Sequence, residues 1–485
     1  MALEGDAPTR KDGLWVPSRR AMTVGLILLV TLVAFEALAV NTALPAASRE
    51  LGGIGLYGWV FAAFMLAMVA SIAVSGRAID ERGLYPVLLV GAPLFCAGLV
   101  ACALAPSMPI LVAGRGVQGL GAGAISSVAN TAIGKAYPPR LRAAMLAVMS
   151  SAWVVPGLVG PGLSALVTDA LGWRFVFAGL VPLVALAAVL TLPALRPFGP
   201  TEDSVAHAAT RRTADPLRVA AGFAFVIGGL SNAHDRWPLA LCAVGFAIAA
   251  PALYRLTPRG TFRLERGAPA AIALNAVINF SFFSVDAFVP LAVTAVRHRA
   301  VGIAGLALTT GALSWTAGAW VTARLNQRIA TRTRVRVGFL CVAAGNALVL
   351  IGLGDSVSIW IYPAAWTVSG LGMGLGYQGL ALVVLGGDRT EGAEDDGGPA
   401  GATVAARQVF DVLGTATGTG VAGAIVAIAA AGGHSTKGGL TVTFAVMIAV
   451  ALFGSIAAPR AQANPASPQA LGEDLPSRSG TEPPH

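Results

Sequence analysis

Residues 113–124 read AGRGVQGLGAGA, inside an apolar run from 108 to 134. Part of it, GLGAG from Gly119, returns as GLGMG from Gly370, an offset of 251 positions. One glycine-rich match means little in a chain with 59 glycines. A second match stands at nearly the same offset. Glu36, in VAFEALAVNTALP (33–45), answers to Asp286, in FFSVDAFVPL (282–291), 250 positions on. Each carboxylate sits in a long apolar run, about 13 Å from its far end at about 1.5 Å per residue. Together the two matches point to a duplicated unit, the organisation of secondary transporters with a site between repeats.

The runs around these stretches set the fold class. The chain has 485 residues, 55% hydrophobic and 12% charged, where a soluble domain carries about 25% charged residues. Its mean hydropathy is +0.72. This is the composition of an all-α polytopic membrane protein. At about 20 apolar residues per crossing, spans are expected near 22–44, 56–76, 84–104, 108–134, 140–168 and 173–195. A second set is expected near 268–293, 301–325, 334–353, 357–385, 404–430 and 438–457. Two weaker runs, 217–231 and 237–256, lie between the sets. Fourteen spans are expected, with twelve plus a re-entrant or interfacial pair as the alternative. The domain reading is an N-terminal segment (1–21), a six-helix bundle (22–195), a linker (196–216), an extra helix pair (217–256), a second pseudo-repeated six-helix bundle (257–457) and a disordered tail (458–485).

Charge placement orients the chain. With the N-terminus inside, the cytoplasmic segments hold most of the arginines, among them Arg77, Arg82, Arg140, Arg142, Arg255, Arg259, Arg263, Arg266, Arg332, Arg334 and Arg336. The outer loops hold few cations: Arg49, Arg174, Arg236, Arg297, Arg299 and Lys437. This is the positive-inside asymmetry, with both termini cytoplasmic. It also accounts for the net charge of +9 without a nucleic-acid partner. The acidic loop GGDRTEGAEDDGGPAG reads as a solvated cytoplasmic linker. Cys96, Cys102, Cys242 and Cys341 lie in apolar runs without metal-ligand spacing, so they read as packing residues and no metal is expected. Scarce lysine beside abundant arginine, alanine and glycine suggests a high-GC bacterial genome, hence the inner membrane.

An ionised acid at mid-span costs about 2.5–3.5 kcal/mol on insertion scales, so such groups face a cavity or a partner. Loss of water favours the neutral form of a carboxyl group, which suits Glu36 and Asp286 to proton transfer. A fixed ion pair is the structural alternative for each. Arg115 lies about 10 Å from the outer end of its run, near the depth of Glu36, and the two are placed to pair. Arg407 and Asp411 share a helical face at i,i+4 spacing and, with Gln118, are candidates for coupling or gating; an Arg407 that merely snorkels to the cytoplasmic end of its helix is the structural alternative. Gly414 and Gly418 form a small-xxx-small packing surface. His207, His234, His298, His434 and His485 fall in loops, at span edges or in the tail, which leaves any proton relay to carboxylates. There is no HExxH, no G-x-S-x-G and no Walker A motif, so neither an intramembrane enzyme nor an ATP-driven pump is indicated.

With these residues in place, the chain resembles the major facilitator superfamily from about 22 to 457. The loop GRAIDERGLYPVLL matches that family's loop signature at Gly76, Asp80 and Gly83. Arg82 is displaced by one, and Leu84-Tyr85-Pro86 stand where the basic pair falls. The resemblance gives this loop a part in locking the inward gate. AGRGVQGLGAGA is similar to the family's R-x-x-Q-G motif at Arg115, Gln118 and Gly119, a motif associated with proton coupling in drug exporters. WVVPGLVGPGLSALVTDALGWRF resembles the antiporter motif at Gly157, Gly160 and Pro161, with Pro156 just ahead. Ser164 and Ala165 replace its second glycine pair. FEALAVNTALP looks like the helix 1 signature of the fourteen-span drug:proton antiporter branch, with Glu36 where Asp is usual.

The resemblance implies a major facilitator fold and a proton-coupled exporter of hydrophobic or cationic small molecules. Its partners would be substrate, protons and lipid. It would need no cofactor beyond the proton gradient, and it is expected to be a monomer. Asn41, Trp153, Asn279, Phe283 and Tyr377 are candidate cavity residues, with Phe280, Phe282, Trp315 and Trp366 as further aromatic candidates. Two other readings stand beside export of drugs. One is a proton-coupled uptake symporter for a metabolite, suggested by Asn275 and Asn279. The other is an exporter of a lipid or cell-envelope precursor.

Overall fold

A computed structural model describes residues 13–200, 213–231, 237–325, 329–386 and 399–462. Residues 387–398 of the acidic loop, the tail from 463, His207, His234, His485, Arg236 and the chain before residue 13 lie outside the described residues.

Every regular element among the described residues is helical. The first half comprises α1 (Pro17–Leu51), α2 (Tyr57–Arg82), α3 (Leu84–Ala103), α4 (Met108–Ala136), α5 (Pro139–Ser151), α6 (Val154–Ala170), α7 (Arg174–Ala178) and α8 (Leu180–Leu195). The central pair is α9 (Ala214–Ser231) and α10 (Trp237–Leu256). The second half comprises α11 (Ala268–Leu291), α12 (Val301–Leu325), α13 (Thr331–Gly352), α14 (Ile361–Gly386), α15 (Pro399–Ala431) and α16 (Thr436–Ala457).

Two expected spans are broken, each four residues before a proline. Pro156 has no N–H for the Ala152 carbonyl, and the fifth run divides into α5 and α6 there. Pro182 does the same to Ala178, and the sixth divides into α7 and α8. The first four residues expected in a disordered tail instead form a 3₁₀ turn, Ala458–Ala461. Ala458 and Ala461 are buried there, and Gly267 N donates to Arg460 O at 3.0 Å.

Counting α7 and α8 together as one span, Arg174–Leu195, twelve helices among the described residues are long and apolar enough to cross a membrane, the number of the twelve-span alternative. They include the central pair. Outside them stand α4, whose glycines and polar Arg115 and Gln118 dilute its hydropathy, and α6, which the break leaves at 17 residues. The chain is a multi-pass membrane protein.

The repeat reappears as packing. α4 lies between α2 and α3: a side chain at Gly119 would strike the Phe64 carbonyl, and one at Gly121 the Phe95 backbone. α14 lies between α12 and α13 in the same manner, with Gly370 against Gly311 and Gly372 against Gly338. Both glycine stretches are thus surfaces of close helix approach.

The halves meet along two seams, and both are tight at the end of the molecule away from the N-terminus, here the far end. On one seam Gly58 of α2 lies against Gly423 of α15. On the other, Gly305 of α12 lies against the Pro161 carbonyl of α6, and Gly157 against Ala312. The central pair covers the first seam. Ile227 of α9 packs on Gly420, and Trp59 Nε1 donates to Ser231 Oγ at 3.1 Å. One apolar cluster joins Ala62 and Leu66 of α2, Val219 and Ala220 of α9, and Leu413 and Ala416 of α15.

Candidate functional site

Three clusters contain the charged coupling candidates of the sequence: a buried one inside the first half, a buried one between the halves and a half-buried one inside the second. In the first half, α1 carries Glu36 and α4 carries Arg115, with side-chain exposures of 1% and 2%. Arg115 Nη1 donates to Glu36 Oε1 and to Gln118 Oε1 at 2.7 Å. Its Nε donates to the Val60 carbonyl of α2 at 3.1 Å, and its guanidinium lies 4.2 Å over the Phe64 ring. Glu36 Oε2 has no hydrogen-bond partner. The expected pair is therefore formed, and it links three helices.

Asp286, buried on α11, stands where the halves meet. Asn41 Nδ2 of α1 donates to its Oδ2 at 2.6 Å, and Trp366 Nε1 of α14 donates to its Oδ1 at 2.8 Å. Beside it is a narrow cleft whose lining includes Asn41, Phe282, Phe283, Trp315 and Trp366. Its free volume of about 40 Å³ is sized for water.

In the second half, Asp411 of α15 accepts from Asn279 Nδ2 at 3.0 Å and from the Tyr377 hydroxyl at 2.9 Å. Arg407 pairs with it at 3.6 Å and lies over the Tyr377 ring. Tyr377 in turn meets Trp315 at 5.8 Å between centroids, so an aromatic path joins the Asp411 cluster to the cleft.

The gate-loop residues gather at the other end of α2. Gly83 closes that helix at φ 86°, in the left-handed region that suits glycine. A side chain there would also strike Gly199, 2.9 Å from its Cβ position. Gly76, Asp80 and Arg82 line the preceding turns of α2, where Arg77 pairs with Glu81 at 2.6 Å. In α6, Pro156, Gly157, Gly160 and Pro161 are all buried and let α1 and α12 approach from two sides. Ser164, which replaces a glycine of the motif, donates its hydroxyl to the Ala39 carbonyl of α1 at 2.7 Å.

A sequence model described as the Major Facilitator Superfamily matches residues 26–389. The chain belongs to that superfamily. A probable multidrug-efflux transporter of Mycobacterium tuberculosis is 28% identical to this facilitator over 430 residues, 85% of this chain and 88% of the relative. A multidrug transporter of Bacillus subtilis is 24% identical over 377 residues, 76% of this chain and 69% of that one. A crystal structure of a POT family transporter in complex with 5-aminolevulinic acid shares the fold, with a TM-score of 0.62 at 11% identity over 91% of this chain and 96% of that one.

In this facilitator the sequence candidates divide. Glu36, Arg115 and Gln118 come together, as do Asn41, Asp286 and Phe283, and as do Asn279, Tyr377, Arg407 and Asp411. Trp153 stays apart, at the α5–α6 junction and 47% exposed. The hydrogen-bonding role of Trp366 escaped the sequence, where it counted only as an aromatic ring. So did Val60, whose contribution is a backbone carbonyl with no signature in its side chain.

Proposed function

We propose that this facilitator is a proton-coupled exporter of hydrophobic or cationic small molecules, working by alternating access. It would lie in the bacterial inner membrane with both termini cytoplasmic. In this reading α4 and the α5–α6 unit cross beside the twelve apolar helices, giving fourteen spans. The multidrug-efflux names of its relatives and the glycine–proline surface of α6 support export.

The observation that carries proton coupling is the buried Glu36–Arg115 pair. Stranding one charge of such a pair is costly, yet Arg115 keeps the Val60 carbonyl, the Gln118 carbonyl oxygen and the Phe64 ring when Glu36 is neutral. Glu36 Oε2, free of hydrogen bonds, is the atom for the proton to occupy. Protonation then releases α1 from α4 without leaving the guanidinium unsolvated. Asn41 is five residues further along α1, turned about 140° at about 100° per residue, so the freed helix also touches the second half, through Asp286. With the far end taken as the outer face, closed seams there correspond to a state sealed from outside.

Asn275 and Asn279 lend the uptake reading little, since neither lines the cleft and Asn279 is held by Asp411. The test is transport of tetraphenylphosphonium in proteoliposomes under an imposed pH gradient. Wild type should accumulate the cation against its gradient, and Glu36→Gln should not, although it folds. Equal gradient-driven transport by the two proteins would remove Glu36 from the coupling mechanism.

A further inference from the structure

Glu36 and Asp286 occupy matching places in the two repeats but face different surroundings. Glu36 is enclosed within its own half. Asp286 is the one charged side chain lining the cleft among the described residues, and its oxygens are claimed from opposite sides, Oδ1 by Trp366 of its own half and Oδ2 by Asn41 of the other. A neutral amide is a weaker partner for a carboxylate than a full positive charge.

The wall beside this carboxylate is aromatic. Phe282 stacks on Trp366 with centroids 5.2 Å apart and planes at 23°. Phe283 and Trp315 meet Phe282 edge-on, at 88° and 83°. Ring faces attract soft cations, and aromatic enclosures recognise quaternary ammonium groups. The cleft as it stands is too small for such a guest: a drug-sized ligand needs a pocket of about 300 Å³ or more. The halves must part at this level to admit it, and that parting separates Asn41 from Asp286.

We infer that Asp286 is a clasp with two alternative partners. One is Asn41 of the opposite half, when the cleft is closed. The other is the charged centre of an amphipathic organic cation, seated on the wall of Phe282, Phe283, Trp315 and Trp366, when it is open. The inference rests on the export reading for the direction of transport alone. Closure and occupancy compete for one carboxylate, so each excludes the other, and a cation biases the halves apart by its preference for the open state. Trp366 is a positioning residue that holds Oδ1 in both states.

Equilibrium binding of tetraphenylphosphonium to the purified full-length protein in detergent, with no gradient present, tests this. Wild type should bind saturably. Asp286→Asn should bind at least tenfold more weakly, and Asp286→Glu, which keeps the charge, should recover part of that loss. Asn41→Ala removes the internal competitor and should bind several-fold more tightly, a change in a direction that a merely structural role for Asn41 would not produce. No binding by wild type, undiminished binding by Asp286→Asn, or unchanged or weaker binding by Asn41→Ala would each overturn the clasp. Binding in this pattern by a protein that carries out no gradient-driven transport would support the clasp while refuting export.

Discussion

Four groups hold the Arg115 guanidinium, and only Glu36 among them carries a charge. The dependence is therefore unequal: Arg115 tolerates a neutral Glu36, whereas an ionised Glu36 depends on Arg115. Replacing Arg115 by Met should destabilise the protein by about 3–5 kcal/mol, the usual cost of stranding a buried charge. Adding Glu36→Gln to that variant should restore much of the loss. Thermal unfolding in detergent measures both, and an Arg115→Met protein as stable as wild type would contradict the account. This pair was legible in the sequence because depth along two apolar runs brought the residues level. The Asn41–Asp286 bond was not, since it depends on how two halves meet across 245 positions of sequence, and no local pattern encodes that.

Among the elements, apolar run lengths located the helices well, but they overlooked what prolines do inside them. Pro156 and Pro182 lie one turn beyond the breaks that divide the fifth and sixth runs, and both were readable from the missing N–H. Glycines carry the other element-scale message. At Gly305 a side chain would meet the Pro161 carbonyl at 2.9 Å and Ala165 Cβ at 3.3 Å. Gly305→Leu should therefore wedge the α6–α12 seam open at the far end. Transport that needs the seam to close should slow several-fold, because opening and closing steps can limit the cycle, while tetraphenylphosphonium binding persists. Initial transport rates set beside equilibrium binding would show this, and an unaltered rate would mean that the seam need not close.

For the whole molecule, the duplicated halves followed from two sequence matches because residues at close helix contacts and buried charges have few substitutes. The role of the central pair did not follow. Its runs are short, and only the assembled molecule places α9 over the seam between α2 and α15. Both halves bear on the central claim, that protonation of Glu36 in one is exchanged for substrate bound at the junction with the other. The direct measurement is proton movement driven by substrate alone. Proteoliposomes loaded with a pH-sensitive dye would receive a tetraphenylphosphonium gradient, with no initial pH gradient and the membrane potential clamped. The account predicts proton flow opposite to substrate flow in wild type, and none above leak in Glu36→Gln. Protons moving in the same direction as the substrate, or no coupled proton flux in wild type, would contradict it.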